Sequence, residues 1–356
     1  MQRSSRMMIR SACATTPASM DQITAHLDRG WDLAQHGDAR GAEASARQAL
    51  ELDPNAPEVH NLLGYISALS GEAEEAVDHY RDALALDEGY FDAMLNAAEV
   101  LMHPLARHDE AVEMCDEAIS WAETDEELAD ALLIKIDALL SKGDDTSARK
   151  AIAAMPTGPF ESERYDLLVG RAFFEVGDLD RASEAIERAI ARDDKNAEAH
   201  YYRALIRDSR GDANAATSAY LVVRRLDEAI APPPWALPPN AFEQTVAQAI
   251  QQLDPALRRF VESAELFVTP LPGLEVIADG VDPRAPLLLD GIATPERPGP
   301  PCARVFVYQR NVERLVMTAV ELQDELVATF EHEIAATFLE ERPSEPTGRT
   351  PKHELN

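Results

Sequence analysis

Cysteine is nearly missing from this sequence: Cys13, Cys115 and Cys302 are the three present in 356 residues. An odd number at wide spacings makes neither a disulfide framework nor a paired metal-ligand motif, and it fits a reducing compartment. No apolar run approaches the roughly 18 residues that a membrane-crossing helix needs. The opening MQRSSRMMIRSACATTPASM carries arginines but no apolar core ahead of its small residues, so neither a signal peptide nor a lipid anchor is expected. Positive charge is scarce as well, with 33 Lys and Arg against 64 Asp and Glu and a net charge of -31. Such a surface repels nucleic-acid phosphate and anionic lipid. The expected partners are therefore proteins or peptides of basic or mixed aliphatic character, not nucleic acid and not membrane, and the expected setting is cytoplasmic. Glycine-rich phosphate loops, a G-x-S-x-G element and paired Cys/His constellations are also lacking, which leaves no assembled catalytic chemistry in view. What is present is 46% hydrophobic residues over a chain long enough for two or three domains with real cores.

The first 230 residues repeat. Glycine followed by an acid occurs at Gly37-Asp38, Gly71-Glu72, Gly143-Asp144, Gly177-Asp178 and Gly211-Asp212, at spacings of 34, 72, 34 and 34 residues. The spacing of 72 is two periods plus four, and the missing member falls in Pro104–Asp109, where a short insertion replaces the tight turn. Five residues after each glycine stands an alanine (Ala42, Ala76, Ala148, Ala182, Ala216), with Ala111 in the irregular repeat. Glycine frees the backbone for a turn between antiparallel helices, and alanine lets those helices approach closely. A fixed period in this range signals a solenoid, and six repeats exceed the roughly three needed to bury a continuous core.

With Leu63-Gly64 and Gly170 in first helices, Tyr80 and Tyr220 in second helices, and LELDP ending at Pro54, residues 21–230 resemble the tetratricopeptide repeat. The resemblance implies a superhelix whose groove is lined by the first helix of each pair. By repeat position that lining includes Trp31, Asn61, Tyr65, Leu95, Glu99, Asp137, Leu167, Arg171, Phe174, Tyr201 and Leu205. The basic clamp with which some relatives hold a terminal carboxylate is not visible. His26, His60 and His200 stand where several repeats of the family carry a large aromatic, and they are expected to pack between helices.

The run APPPWALPPN cannot continue a helix, since proline lacks the amide donor. It reads as a stiff spacer at 231–240 that transmits few contacts. Beyond it, Phe242–Leu253 and Asp254–Ser263 read as helical, AELFVT and ARVFVYQ as strands, PLLLDGIATP as part of a long irregular stretch, and Leu322–Glu341 as one amphipathic helix. The expected fold is mainly α: a helical-hairpin solenoid followed by a small α+β domain at 241–342, between a disordered N-terminus at 1–20 and a disordered tail at 343–356.

The order FEQTVAQAIQQLDPALRRFV, AELFVT, PLLLDGIATP, RVFVYQRNVERL and HEIAATF resembles the small bacterial zincin-like metallopeptidase family. That resemblance implies a zinc held by two histidines four residues apart, with the intervening glutamate as base. His332 matches the first ligand and Glu333 the base. The second ligand position is Ala336, and the acidic third is Arg342. Two of three donors are missing, and one imidazole does not hold zinc against water. The expectation is a protein-interaction scaffold with an inactive zincin-like domain as a second docking surface and no cofactor. A zinc-dependent peptidase directed by the repeats is the alternative.

Overall fold

A computed structural model describes residues 17–293 and 299–339. Residues 1–16 of the N-terminus expected to be disordered, the tail at 343–356, Arg342, and most of the proline-rich loop at 295–301 lie outside the described residues, while residues 17–20, also expected to be disordered, are helical. Two compact units are present, Met1–Asp178 and Leu179–Asn356.

The first unit is built of helical pairs: α1 (Pro17–Gln35) with α2 (Ala39–Leu52), α3 (Pro57–Leu69) with α4 (Ala73–Leu86), α5 (Phe91–Met102) with α6 (His108–Trp121), and α7 (Asp125–Ser141) with α8 (Asp145–Ala153). α9 (Glu163–Glu175) comes next and packs on α7. The turn chemistry read from the repeat is what the backbone uses. Gly37, Gly71, Gly143, Gly177 and Gly211 all take φ of 75–80°, the left-handed region that side chains disfavour. After Gly37, Gly143 and Gly211 the aspartate caps the next helix: Asp38 accepts from the Gly41 amide at 3.0 Å, Asp144 from the Ser147 amide at 3.0 Å and Asp212 from the Ala215 amide at 3.2 Å, whereas Glu72 makes no such side-chain bond. In the irregular repeat Ala106 takes φ 51°, and Arg107 N–H donates to Leu101 O at 2.7 Å to close a longer turn. The periodic alanines Ala42, Ala76, Ala111 and Ala148 are fully buried. At Gly64 a Cβ would meet the Tyr80 ring at 2.5 Å, so this glycine sets how closely α3 and α4 approach.

The second unit starts with α10 (Leu179–Arg192), α11 (Ala197–Ser209) and α12 (Ala213–Ala229). It continues through α13 (Pro239–Gln252), α14 (Pro255–Arg258), β1 (Glu265–Thr269), α15 (Leu274–Ala278), β2 (Leu287–Asp290), β3 (Arg304–Tyr308), α16 (Gln309–Glu313) and α17 (Leu322–Phe338). Strand order is β1-β3-β2, with β1 parallel and β2 antiparallel to β3. Phe242, Val246, Leu289, Val305, Val307, Leu326, Phe330 and Ile334 share one core. Phe260 stacks on Phe338 with centroids 4.6 Å apart, closing α17 against the end of α14. The leucine-rich run that reads as irregular is thus strand β2, and short helix α15 also lies in that stretch.

The proline run does not isolate the elements after it. Trp235 and Leu237 pack against the core of the α+β elements, and Gln309 Nε2 donates to Leu237 O at 2.7 Å. α12 packs on α15, and Ile277 is buried among Ala204, Ala216, Ala219 and Tyr220 of the last repeat. Asp227 of α12 is fully buried and receives Arg314 Nη1 at 2.8 Å and Arg284 Nε at 3.2 Å; Arg284 also reaches Glu198. The expectation of a spacer with few contacts therefore fails. Proline prevents helix, but the apolar neighbours Trp235 and Leu237 still pack when a core lies beside them.

Candidate functional site

Side chains on the first helices of the first unit gather around one recess of about 520 Å³. Trp31 (α1), Asn61 (α3), Leu95 and Glu99 (α5) line it, as their repeat positions predict. The helical backbones are hydrogen-bonded internally, so side chains carry all recognition here. Asn61 is buried and donates from Nδ2 to the Tyr90 hydroxyl at 3.4 Å, while its Oδ1 accepts from Asn96 Nδ2 at 2.9 Å. Burial pushes the Tyr90 phenol up to about 12, with the Asp92 charge adding to it, so the hydroxyl keeps its proton. Trp31 is braced by Tyr65, with ring centroids 5.0 Å apart, and Tyr65 itself belongs to the apolar cluster between α1 and α3. Tyr65 supports the lining without forming it.

Asp92, Glu99 and Asp130 supply acid to the recess against Arg164 as its cation. Asp130 accepts from the Tyr165 hydroxyl at 2.6 Å, with Arg164 Nη2 at 3.5 Å. Partial loss of hydration raises the Glu99 carboxyl above its ordinary range, Asp130 adding and His103 opposing. The polar run continues along α7 and α9. Asp137 is raised by burial against the opposing charges of His103 and Arg171, and Glu175 is raised by burial and by Asp137. Phe174 lies on α9 with Arg171, half-buried. Asn96, Tyr90, Asp130 and Arg164 are not among the lining residues that repeat position predicts. Asn96 adjoins the repeat-derived position Leu95, whereas Tyr90, Asp130 and Arg164 stand three or more positions from any such site, and their part in the recess is legible only once the helices' rotation is known.

Tyr201 is a correction. It lies in the second unit, where its hydroxyl donates to Asp282 Oδ2 at 2.6 Å and the Arg284 guanidinium covers its ring at 4.5 Å from the centroid. The C-terminal segment occupies the face on which repeat position predicts a ligand.

His332 and Glu333 stand next to each other on α17. His332 is exposed on the face opposite the buried Phe330 and Ile334, and Ala336, one turn on, has no donor atom. Among the described residues no set of three metal-capable donors includes His332. The donor set does not fit a catalytic zinc, which takes about three protein ligands. Burial raises the Glu333 carboxyl, opposed by His332.

Comparison with known families matches the first and last parts of the repeat array. The tetratricopeptide repeat model matches residues 27–91 and 167–230. These segments are therefore tetratricopeptide repeats, and the first of them holds Trp31, Asn61 and Tyr90. No curated protein matches the sequence. Among solved structures, that of Pseudomonas aeruginosa PilF is 19% identical with a TM-score of 0.48, covering 60% of this chain and 95% of its own. PilW, a type IV pilus biogenesis factor, is 18% identical with a TM-score of 0.46, covering 60% and 96%. YrrB, a tetratricopeptide-repeat protein with an unusual peptide-binding site, is 16% identical with a TM-score of 0.40, covering 52% and 93%. No helix among the described residues is long and apolar enough to cross a membrane.

Proposed function

We propose that the protein is an interaction scaffold whose first unit holds an extended, basic and partly aliphatic segment of another protein. The observation that carries this reading is the recess formed by Trp31, Asn61, Tyr90, Asn96, Leu95 and Glu99. Its amides offer both donors and acceptors to a passing peptide backbone, its apolar walls accept aliphatic side chains, and its acids favour a cation. The tetratricopeptide-repeat match supports a protein or peptide as ligand. A cytoplasmic setting belongs to the same proposal, on the strength of the free, buried thiols of Cys115 and Cys302. The test compares fluorescent peptides of one length, one alternating Lys and Leu and one alternating Glu and Leu. The basic peptide binds and the acidic one does not; Trp31→Ala and Asn61→Ala each weaken binding on the order of tenfold with helical content unchanged. Equal binding of the two peptides, or unchanged binding by both folded variants, refutes the placement.

The α+β elements of the second unit are proposed to be a zincin-like fold without its chemistry, serving as a second docking surface. Support comes from the strand and helix order and from Ala336 in place of a ligand. Glu333 then carries a cost without a catalytic return. Its folded pKa is raised, so its stabilising contribution is complete below the ordinary carboxylate range and is lost as pH rises through the folded value. Glu333→Gln accordingly raises the thermal midpoint at neutral pH and leaves it unchanged in acid. A fall at neutral pH, accompanied by loss of peptidase activity, would restore the enzymatic alternative.

A further inference from the structure

The second repeat carries a histidine pair that the groove does not use. His60 on α3 and His79 on α4 each present one ring nitrogen, with one Asp82 carboxylate oxygen, and these three atoms lie within 4.8 Å of one another. His79 and Asp82 are three residues apart on one helix, hence on one face. Repeat position places His60 among packed histidines, and its imidazole is indeed largely covered, at 14% side-chain exposure.

The tautomer of His60 decides what the cluster can do. Its Nε2 lies 3.1 Å from the Pro54 carbonyl oxygen. A carbonyl only accepts, so Nε2 carries the proton and Nδ1 of the neutral ring carries the lone pair. That Nδ1 is buried and has no hydrogen-bond partner among the described residues. Asp82 Oδ2, at 3.9 Å, is too far for one. An orphaned buried acceptor is costly, and here it faces a second imidazole and a carboxylate.

The last repeat supplies an internal control. His200 occupies the equivalent position, and its Nε2 lies 2.9 Å from the Asp194 carbonyl in the same manner. There Arg203 Nη2 donates to Nδ1 at 2.6 Å. Arginine has no acceptor, so this contact shows Nδ1 as the lone-pair nitrogen whenever the carbonyl tie is made. In the second repeat the residue three positions after the histidine is Leu63, which has no guanidinium to offer.

We infer that His60, His79 and Asp82 bind a divalent cation of the borderline class that favours imidazole with carboxylate, zinc above all. Calcium and magnesium prefer all-oxygen sites. Bonds of about 2.1 Å place tetrahedral donors about 3.4 Å apart, so the ligands must close by about 1.4 Å. Asp82 and His79, with side-chain exposures of 65% and 25%, have the freedom to do so. Glu75 Oε1, 3.8 Å from His79 Nε2, flanks the cluster and adds negative potential. The Pro54 carbonyl orients the buried ligand from behind, as carbonyls commonly do for metal-bound histidine. Three protein donors leave a fourth position for water.

Full-length protein stripped with chelator is titrated with zinc in competition with a chromophoric chelator. One saturable site is expected. His79→Ala and Asp82→Asn, both at partly or fully exposed side chains, each weaken it on the order of tenfold or more, whereas His332→Ala leaves it unchanged. Zinc also raises the thermal midpoint of the wild type and not of the two variants. Absence of saturable binding below about 100 µM free zinc, or binding undiminished in both folded variants, overturns the assignment. The peptide-binding reading stands or falls separately, since neither variant touches the recess.

Discussion

Asp227→Ala is expected to lower the stability of the second unit by about 3 kcal/mol, the lower end of the cost of breaking a buried ion pair. The carboxylate is fully buried and is shared by Arg284 and Arg314, which are themselves 18% and 30% exposed. Its removal strands two guanidinium groups, one of them also held by Glu198. Arg314 is the more exposed and regains water most easily, which is why the lower end applies. Burial alone would raise the Asp227 carboxyl, but hydrogen bonds from Arg314 and Arg284 hold it below the ordinary carboxylate range. Its contribution is therefore complete above the unfolded pKa and is lost as pH falls through the folded one. Urea unfolding of wild type and variant at neutral pH and again in acid measures both statements: a large shift in midpoint at neutral pH, shrinking only in strong acid. A variant with unchanged midpoint at neutral pH would show that the last repeat and the α+β elements are held together by apolar contacts such as Ile277 alone.

The second large effect concerns recognition. Reversing Asp92 and Glu99 to lysine together is expected to weaken binding of the Lys/Leu peptide on the order of a hundredfold, because each change replaces an attraction by a repulsion within the same recess. Both residues lie on α5 and keep solvent contact, so the helix tolerates the change. Association slows more than dissociation quickens, and the loss shrinks with added salt. For the wild type, lowering the pH weakens binding as the acids are neutralised, and it does so above the ordinary carboxylate range because Glu99 and Asp137 are both raised by burial. Peptide titrations at two salt concentrations and across the acidic range read these effects. Tight, salt-independent binding by the double variant would show that the recess acids do not face the ligand.

Much of the architecture is written in the chain itself. The 34-residue spacing of Gly-acid pairs states the turn conformation, since glycine alone enters the left-handed region cheaply and the following aspartate can cap a helix. The alanines five residues on state which faces meet, and Ala42, Ala76, Ala111 and Ala148 of the first unit are fully buried. Proline at 232–234 and 238–239 states where helix must stop. These are local properties, decided by a residue's own backbone and size, so sequence order is enough to read them.

Tertiary structure decided whatever depends on a distant partner. Leu287–Asp290 becomes a strand because β3 lies beside it, from Arg304 to Tyr308, and nothing within the run itself announces that pairing. Trp235 is partly buried because an α+β core lies beside the proline run. Asn61, Asn96, Asp130 and Arg164 converge from α3, α5, α7 and α9, and their meeting depends on the rotation of each helix about its axis, which periodicity fixes only to within a residue. Tyr201 occupies a groove position by sequence, yet Asp282 and Arg284, some 80 residues later, cover it. His60 and His200 are equivalent by repeat and share the same carbonyl tie. Only the neighbours brought by folding, a guanidinium for one and an imidazole with a carboxylate for the other, separate a satisfied packing histidine from a candidate metal ligand.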